Sequence, residues 1–346
     1  MEKPESLEPR IDIENPAILE AYLKRTKRVN PDEVLAIRTL AGGVSNRTVW
    51  VDMGSGESWV IKQALEKLRV PTDWFSDPAR IHLEAEGLRW LSQLAPEGSL
   101  PEFVFEDHSQ HIFAMSAIPQ PHENWKTMLL RGIVDLNHFS QFGILLGMIH
   151  RKASLRCQDL SIHFHNRSFF DSLRLEPFYI YTAQQIPEMK SFISDLVAQT
   201  WATQVTLVHG DYSPKNILVY QDRLILLDHE VVHYGDPAFD LGFSLAHLLS
   251  KAHHLRHLSE NLIEAVLLYW RSYLASLGEL TWRDTLEERA IRHTLACLLA
   301  RVAGRSQVEY LTETKKKKQR TICLNLMANL PTVFEDFVHQ FHQEIS

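Results

Sequence analysis

Residues 209–230 read His209-Gly210-Asp211-Tyr212-Ser213-Pro214-Lys215-Asn216, then Ile217-Leu218-Val219-Tyr220, Gln221-Asp222-Arg223, Leu224-Ile225-Leu226-Leu227 and Asp228-His229-Glu230. The two apolar runs flanking Gln221-Asp222-Arg223 predict an antiparallel hairpin. Position 222 is the midpoint of 216 and 228, so the hairpin is expected to set Asn216 and Asp228 face to face at its open end, with Cα atoms about 5 Å apart. Two oxygen-bearing side chains there suit a hard cation, and Mg²⁺ favours one or two carboxylates together with phosphate oxygens and water. Asp211, five residues before Asn216 on the same loop, is then placed to accept the proton of an attacking hydroxyl. A proton acceptor beside a metal site is the arrangement that phosphoryl transfer requires, together with a cation on the nucleotide phosphates.

Upstream, residues 34–64 hold three short runs rich in Val, Ile, Thr and Trp, broken at Gly42-Gly43 and Gly54-Ser55-Gly56, which predicts three strands joined by tight turns. A helix follows over residues 78–95, with Asp77 as its cap and Pro78 at the first helical position. Strand-like runs recur at residues 103–106 and 111–118, and the proline-bearing stretch 119–124 breaks regular structure. After it, apart from residues 206–228, the periodicity is helical: helices are expected near 136–153, 188–203, 239–249, 259–276, 284–303, 322–330 and 332–342. The domain reading is an N-terminal extension at 1–33, a first lobe at 34–118, a linker at 119–124 and a second lobe at 125–346.

The missing cation is sought in the first lobe. In Trp59-Val60-Ile61-Lys62, alternation sets Lys62 on one strand face with Val60 and Ala64, where a half-buried lysine needs an anion. The following helix offers one. At 100° per residue Ile81, Glu84, Ala85, Leu88, Leu91 and Ala95 share a stripe, whereas Glu86 points away. Glu84 is therefore the expected partner of Lys62. The turn Ala41-Gly42-Gly43-Val44-Ser45-Asn46 lets backbone N–H groups approach phosphates, since glycine removes the side-chain obstacle.

The composition narrows the partners. The chain has 346 residues, 36 Lys and Arg against 43 Asp and Glu and a net charge of −7, which disfavours a nucleic-acid polyanion and favours a small ligand. The three cysteines, Cys157, Cys297 and Cys323, lack metal-ligand or redox spacing and predict core thiols in a reducing compartment. No apolar run reaches membrane-spanning length, so a soluble, cytoplasmic protein is expected.

HGDYSPKNIL (209–218), LLDHE (226–230) and GDPAFDLG (235–242), in that order, resemble the aminoglycoside phosphotransferase and choline kinase-like family, relatives of the protein kinases. Val60-Ile61-Lys62 followed by the Glu84 helix is similar to that family's first lobe. The resemblance implies an α+β, bilobal protein kinase-like fold with an N-terminal antiparallel sheet lobe and a mainly helical C-terminal lobe, using ATP and Mg²⁺ on a small hydroxyl acceptor. It implies Asp211 as catalytic base, Asn216 and Asp228 as metal ligands, and Lys62, paired with Glu84, on the nucleotide phosphates. Gly42, Gly43 and Ser45 fall in the phosphate-facing turn, and Met115 and Ala117 in the adenine-binding hinge at 115–118. Glu230 is implied at the metal or the substrate, with His209 and Asp240 supporting the catalytic loop. Asp240 also precedes a predicted helix and is able to cap it.

Two rival readings stand beside this one. Lys62-Gln63-Ala64-Leu65, Asp228-His229-Glu230 and Arg301-Val302-Ala303-Gly304 also resemble 5-methylthioribose kinases, which implies Arg301 near the sugar. Ala300, however, stands where those enzymes carry the first of paired arginines. The other rival is a nucleotide-binding pseudokinase, against which the intact set Lys62, Asp211, Asn216 and Asp228 argues.

Overall fold

The computed structural model describes residues 10–41, 43–69 and 73–346. It divides into two compact units, Met1–Trp90 with Pro101–Pro119, and Leu91–Leu100 with Gln120–Ser346.

The first unit holds helix α1 (Pro16–Arg25), strands β1 (Leu35–Thr39), β2 (Asn46–Met53) and β3 (Ser58–Ala64), helix α2 (Arg80–Leu94), whose last residues count with the second unit, and strands β4 (Phe103–Asp107) and β5 (Ile112–Ser116). The strands form one antiparallel sheet in the order β1-β2-β3-β5-β4. Alternation along β3 sends its side chains to two covered faces. Ile61 joins a core with Val49, Val51 and Ala114 that is closed by Ile13, Leu19, Tyr22, Leu23 and Val29, while Lys62 and Ala64 are buried on the opposite face. Residues 10–33, read from sequence as an extension, therefore supply one wall of this core. The start of α1 is well specified: Asn15 Oδ1 accepts from the N–H groups of Ala17 and Ile18, and Pro16 occupies the first helical position.

The second unit begins with β6 (His122–Asn124) and α3 (Trp125–Leu130), followed by α4 (Leu136–Ser154), α5 (Cys157–His163) and α6 (Ser168–Phe170). A π-helical segment (Asp171–Ile180), α7 (Tyr181–Gln185) and α8 (Lys190–Ala202) lead into β7 (Thr206–Val208), β8 (Ile217–Tyr220), β9 (Arg223–Leu226) and β10 (His233–Gly235). Helices α9 (Ala238–His254), α10 (Ser259–Leu277), α11 (Leu286–Ala303), α12 (Glu313–Ala328) and α13 (Phe334–Ile345) complete it. The sequence reading makes 119–124 a structureless linker, but His122, Glu123 and Asn124 pair with Tyr220, Val219 and Leu218 of β8. Three residues are too few for alternation to reveal a strand.

Helix α4 packs closely on α10. A Cβ at Gly143 would lie 2.4 Å from the carbonyl oxygen of Tyr269, so the absence of a side chain sets this approach. Beside it, fully buried Trp125 packs edge-on to Phe139 and Phe142, and Phe142 stacks on Tyr212 of the catalytic-loop sequence. Among the described residues no helix is long and apolar enough to cross a membrane.

Candidate active site

The hairpin forms, with a register one step away from the expected one. Ile217 pairs with Leu226 and Tyr220 with Arg223, so the connection has two residues, Gln221 and Asp222, and both have positive φ (47° and 61°). That is the pattern of a type I′ turn, which a right-twisted hairpin favours over the three-residue connection read from sequence. Asn216 consequently lies opposite Leu227, whose N–H donates to the Asn216 carbonyl at 2.9 Å, and not opposite Asp228. A one-residue slip would turn a side chain to the other face of a regular strand. Asp228 leaves the strand in a left-handed conformation, φ 68°, and its charge acts on buried His209.

The loop before β8 is fixed from several sides. Asp240, wholly buried near the start of α9, accepts from the N–H of His209 (2.7 Å) and of Gly210 (2.8 Å), and its Oδ2 lies 3.2 Å from Nε2 of His150. Pro237 is the N-cap residue of α9, and Asp236 Oδ1 just before it accepts from Ala238 N–H, while Asp240 braces the loop. Burial alone would raise the Asp240 pKa; the His150 hydrogen bond and charge, the His209 charge and the His209 N–H outweigh it and hold it below the usual carboxylate range. Gly210 has φ 77°, and a Cβ there would meet Val231 at 2.8 Å, so only glycine fits. The Tyr212 hydroxyl donates to Phe142 O (2.7 Å), and Asn124 Nδ2 donates to Lys215 O (2.7 Å).

Asp211 and Asn216 meet within this frame. Asn216 Nδ2 donates to Asp211 Oδ2 at 2.7 Å and to the Asp211 carbonyl at 3.0 Å, leaving Oδ1 as the oxygen of the amide. His209 Nδ1 accepts from Asp211 N–H (3.1 Å) and is therefore unprotonated, and its Nε2 lies 3.2 Å from His229 Nδ1. Burial lowers the His209 pKa, in keeping with a neutral ring. His209 thus ties the Asp211 loop to the segment carrying Asp228, which is half-buried, and Glu230, which is buried.

A residue that the sequence reading passed over completes the group. Arg174, in the π-helical segment, places Nη2 3.0 Å from Asp211 Oδ2 and donates from Nε to Gly210 O at 2.8 Å. Its one sequence signal is an arginine among Leu173, Leu175 and Phe178, and an α-helical period does not assign the buried face of a π-helix. Arg301 lies near enough for the Asp211 charge to act on it.

In the first unit, Lys62 Nζ lies 2.5 Å from Glu84 Oε1, both residues being buried, whereas Glu86 is half-exposed. Gly42 lies outside the described residues. Gly43 approaches the Asn46 carbonyl so closely that a Cβ would lie 3.1 Å from it, and the carbonyls of Ser45 and Leu65 accept from the buried Arg80 guanidinium. Met115 pairs with Val60 inside the sheet. The Ala117 N–H donates to Ser58 O at 2.8 Å. The oxygen donors Asn216 Oδ1 and the Asp228 carboxylate, beside a loop that spends the Asn216 N–H₂ elsewhere, suit a hard divalent cation.

Methylthioribose kinase 2 of Oryza sativa subsp. japonica is 24% identical over 265 residues, covering 67% of this chain and 62% of the rice protein. The chain thus matches somewhat under two thirds of that relative's length. Methylthioribose kinase of Yersinia pseudotuberculosis is 23% identical over 317 residues, 80% of this chain and 75% of its own. Among solved structures, an amicoumacin kinase in complex with AMP-PNP and Ca²⁺ has a similar fold, with a TM-score of 0.57 at 15% identity over 93% of this chain and 96% of that one. The model of the phosphotransferase enzyme family (APH) matches residues 36–280, and the chain belongs to that family.

Proposed function

We propose that this protein transfers the γ-phosphoryl group of ATP to a hydroxyl of a small molecule, with Asp211 accepting the proton. The observation that carries this reading is the Asp211–Asn216 pair, 2.7 Å apart in a loop braced by Asp240. A carboxylate held by the Asn216 N–H₂ supports the reading of Asp211 as proton acceptor and of Asn216 Oδ1 as a cation ligand. Asn216 and Asp228 would hold Mg²⁺, with Glu230 close in sequence as a further carboxylate; when bound, the ion neutralises charge on the phosphates. Lys62, oriented by Glu84, is assigned to the nucleotide phosphates. Gly42, Gly43 and Ser45 are assigned to the phosphate-facing turn, and Met115 and Ala117 to the base. Arg174 positions the Asp211 carboxylate. The domain reading proposed with this function places the nucleotide lobe at 34–118 and the acceptor lobe at 125–346. ATP as donor fits a cytoplasmic enzyme.

A second reading has specific support: 5-methylthioribose as the acceptor, with Arg301 near the sugar. It is favoured by the methylthioribose kinases among the relatives and by the influence of the Asp211 charge on Arg301. The test is an ADP-release assay with ATP and Mg²⁺ over amino alcohols, pentoses including 5-methylthioribose, hydroxy acids, sugar phosphates and aminoglycosides. Saturable transfer to any of them, lost in Asp211→Asn, is expected. ATP binding without transfer to any acceptor would overturn the kinase reading in favour of a pseudokinase.

A further inference from the structure

Arg301, on which the Asp211 charge acts, lies among further buried cations of the second unit. Lys251 on α9 is fully buried. Its ammonium donates to His247 O one turn back at 3.1 Å and lies 5.5 Å from the centre of the Tyr310 ring. No ion pair joins it to any carboxylate among the described residues. On α11, Arg301 spends Nη1 on Ser306 O (2.6 Å) and Oγ (3.1 Å) and lies over Phe178, while its Nε is buried without a hydrogen-bond partner. Buried His247 likewise has an unpartnered Nδ1.

These groups form one connected arc. Arg174, which pairs with Asp211, lies over Phe243; Phe243 touches both His247 and Phe178, and Phe178 lies under Arg301. The charges acting on His247 are Arg301, Lys251, Lys126 and Lys215, all positive. Those acting on Lys251 are Lys126, Arg301 and, in the opposite sense, Glu309. Asp211 is already paired with Arg174, and Glu309 with Lys126. Among the described residues no carboxylate forms an ion pair with Arg301 or Lys251, and burying a charge without a counter-ion is costly. Burial first, and then the neighbouring cations, bring the Lys251 pKa down to about 7. An anion placed beside it reverses that effect.

We propose that the acceptor phosphorylated at this site carries an anionic group, a carboxylate or a phosphate, which sits against Arg301 and Lys251 while its hydroxyl faces Asp211. The inference rests on the kinase reading and specifies its substrate class. Bond changes are those of the parent reaction: the acceptor oxygen bonds to the γ-phosphorus as the bond to the ADP oxygen breaks, and the hydroxyl proton passes to Asp211.

The test compares matched acceptors that differ in the anion. L-homoserine is set against 2-aminobutane-1,4-diol for the carboxylate, glycerol 3-phosphate against glycerol for the phosphate, and 5-methylthioribose serves as a neutral sugar. An anionic member is expected to exceed its neutral partner about ten- to a hundredfold in kcat/KM, the worth of a charge-assisted contact; which pair responds identifies the anion. Lys251→Met should raise the KM for that acceptor by a similar factor, leave the KM for ATP unchanged and raise the melting temperature, since a buried uncompensated charge is removed. Equal or better use of neutral acceptors, with acceptor KM unaffected by Lys251→Met, overturns the inference and leaves the kinase reading standing. If nothing is phosphorylated, the kinase reading fails, and calorimetric titration with the same compounds decides about the anion site. Anion-selective binding lost in Lys251→Met supports it, and equal or absent binding overturns it.

Discussion

Asp211 shares one of its carboxylate oxygens between Asn216 Nδ2 and Arg174 Nη2, so its orientation is set before any substrate arrives. If proton acceptance is its task, Asp211→Asn keeps the shape and the Asn216 contact region while removing the base. A rate loss of about 10² to 10⁴ with unchanged ATP affinity is expected, read from steady-state kinetics and a nucleotide-binding titration. Arg174 acts one step removed, holding both Gly210 O and the carboxylate. Arg174→Ala should lower kcat roughly tenfold or more with the KM for ATP nearly constant, and Arg174→Lys should recover part of it; a change in ATP KM alone would show that the arginine serves the nucleotide. In the first unit the Lys62–Glu84 pair is buried, so each partner's effect depends on the other. Glu84→Gln should raise the ATP KM or depress kcat, Glu86→Gln should do little, and the losses in Lys62→Ala and Glu84→Gln should be non-additive in a double-mutant cycle. Strict additivity would count against their acting as one unit.

At the scale of elements, the features visible in the sequence were those with a strong period or a punctuated turn. The three first-sheet strands, the Glu84 helix with its Asp77 turn and helices α4, α10 and α11 lie close to their expected bounds, and α9 runs five residues past its expected end; each buries one face and says so every second or every third to fourth residue. The Lys62–Glu84 pairing was legible for the same reason. What escaped lacked a period. Helix α1 has only Leu19, Tyr22 and Leu23 buried, too few to stand out near a polar terminus. The basic run Lys315–Lys318, read from sequence as a solvated helix start, lies in the first half of α12, which starts at Glu313 under a Thr312 cap, ahead of the expected start at 322. The hairpin slip came from counting a three-residue turn, since nothing in Gln221-Asp222 announces positive φ as Asn-Gly would. The two-residue turn is itself testable: Gln221→Asn, a residue that tolerates the left-handed region better, should raise stability by about 0.5 kcal/mol in denaturant unfolding. The concealed α1 wall yields a larger effect, because Leu19 is fully buried against the sheet. Leu19→Ala should cost about 2 to 5 kcal/mol, and a loss under half a kcal/mol would mean the helix contributes no wall.

Across the whole molecule four buried histidines share one direction of linkage to pH on the acid side. Burial lowers the pKa of His209, His247 and His293, and that of His233 falls to about 4 from an ordinary 6.5. For His233 burial is the largest cause, with the Arg167 charge in the same sense, against the Val231 carbonyl and the charges of Asp240 and Asp236. A histidine whose folded pKa is depressed binds its proton more readily when unfolded, so between pH 6.5 and 4 the unfolded state holds more protons and stability rises with pH. The contribution is fully present above about 6.5 and is lost as pH falls through about 4; for His233 alone it is on the order of 3 kcal/mol. Asp236 and Asp240, also depressed, add the same sign below the ordinary carboxylate range. Lys251 extends it upward, since its folded pKa of about 7 against 10.5 makes stability fall as pH drops from about 10.5 to 7. The melting temperature should therefore decline steadily on acidification, most steeply below pH 6.5, as followed by calorimetry in a buffer series at constant ionic strength. His233→Asn is the control that isolates one group: its amide is able to replace the Nδ1 donation to Val231 O and carries no proton to gain. This variant should be less stable than the parent at pH 7.5, where the ring's stacking on Phe170 is lost, yet show a shallower decline toward pH 5. An unchanged slope would mean that His233 does not bind its proton differently in the folded and unfolded states.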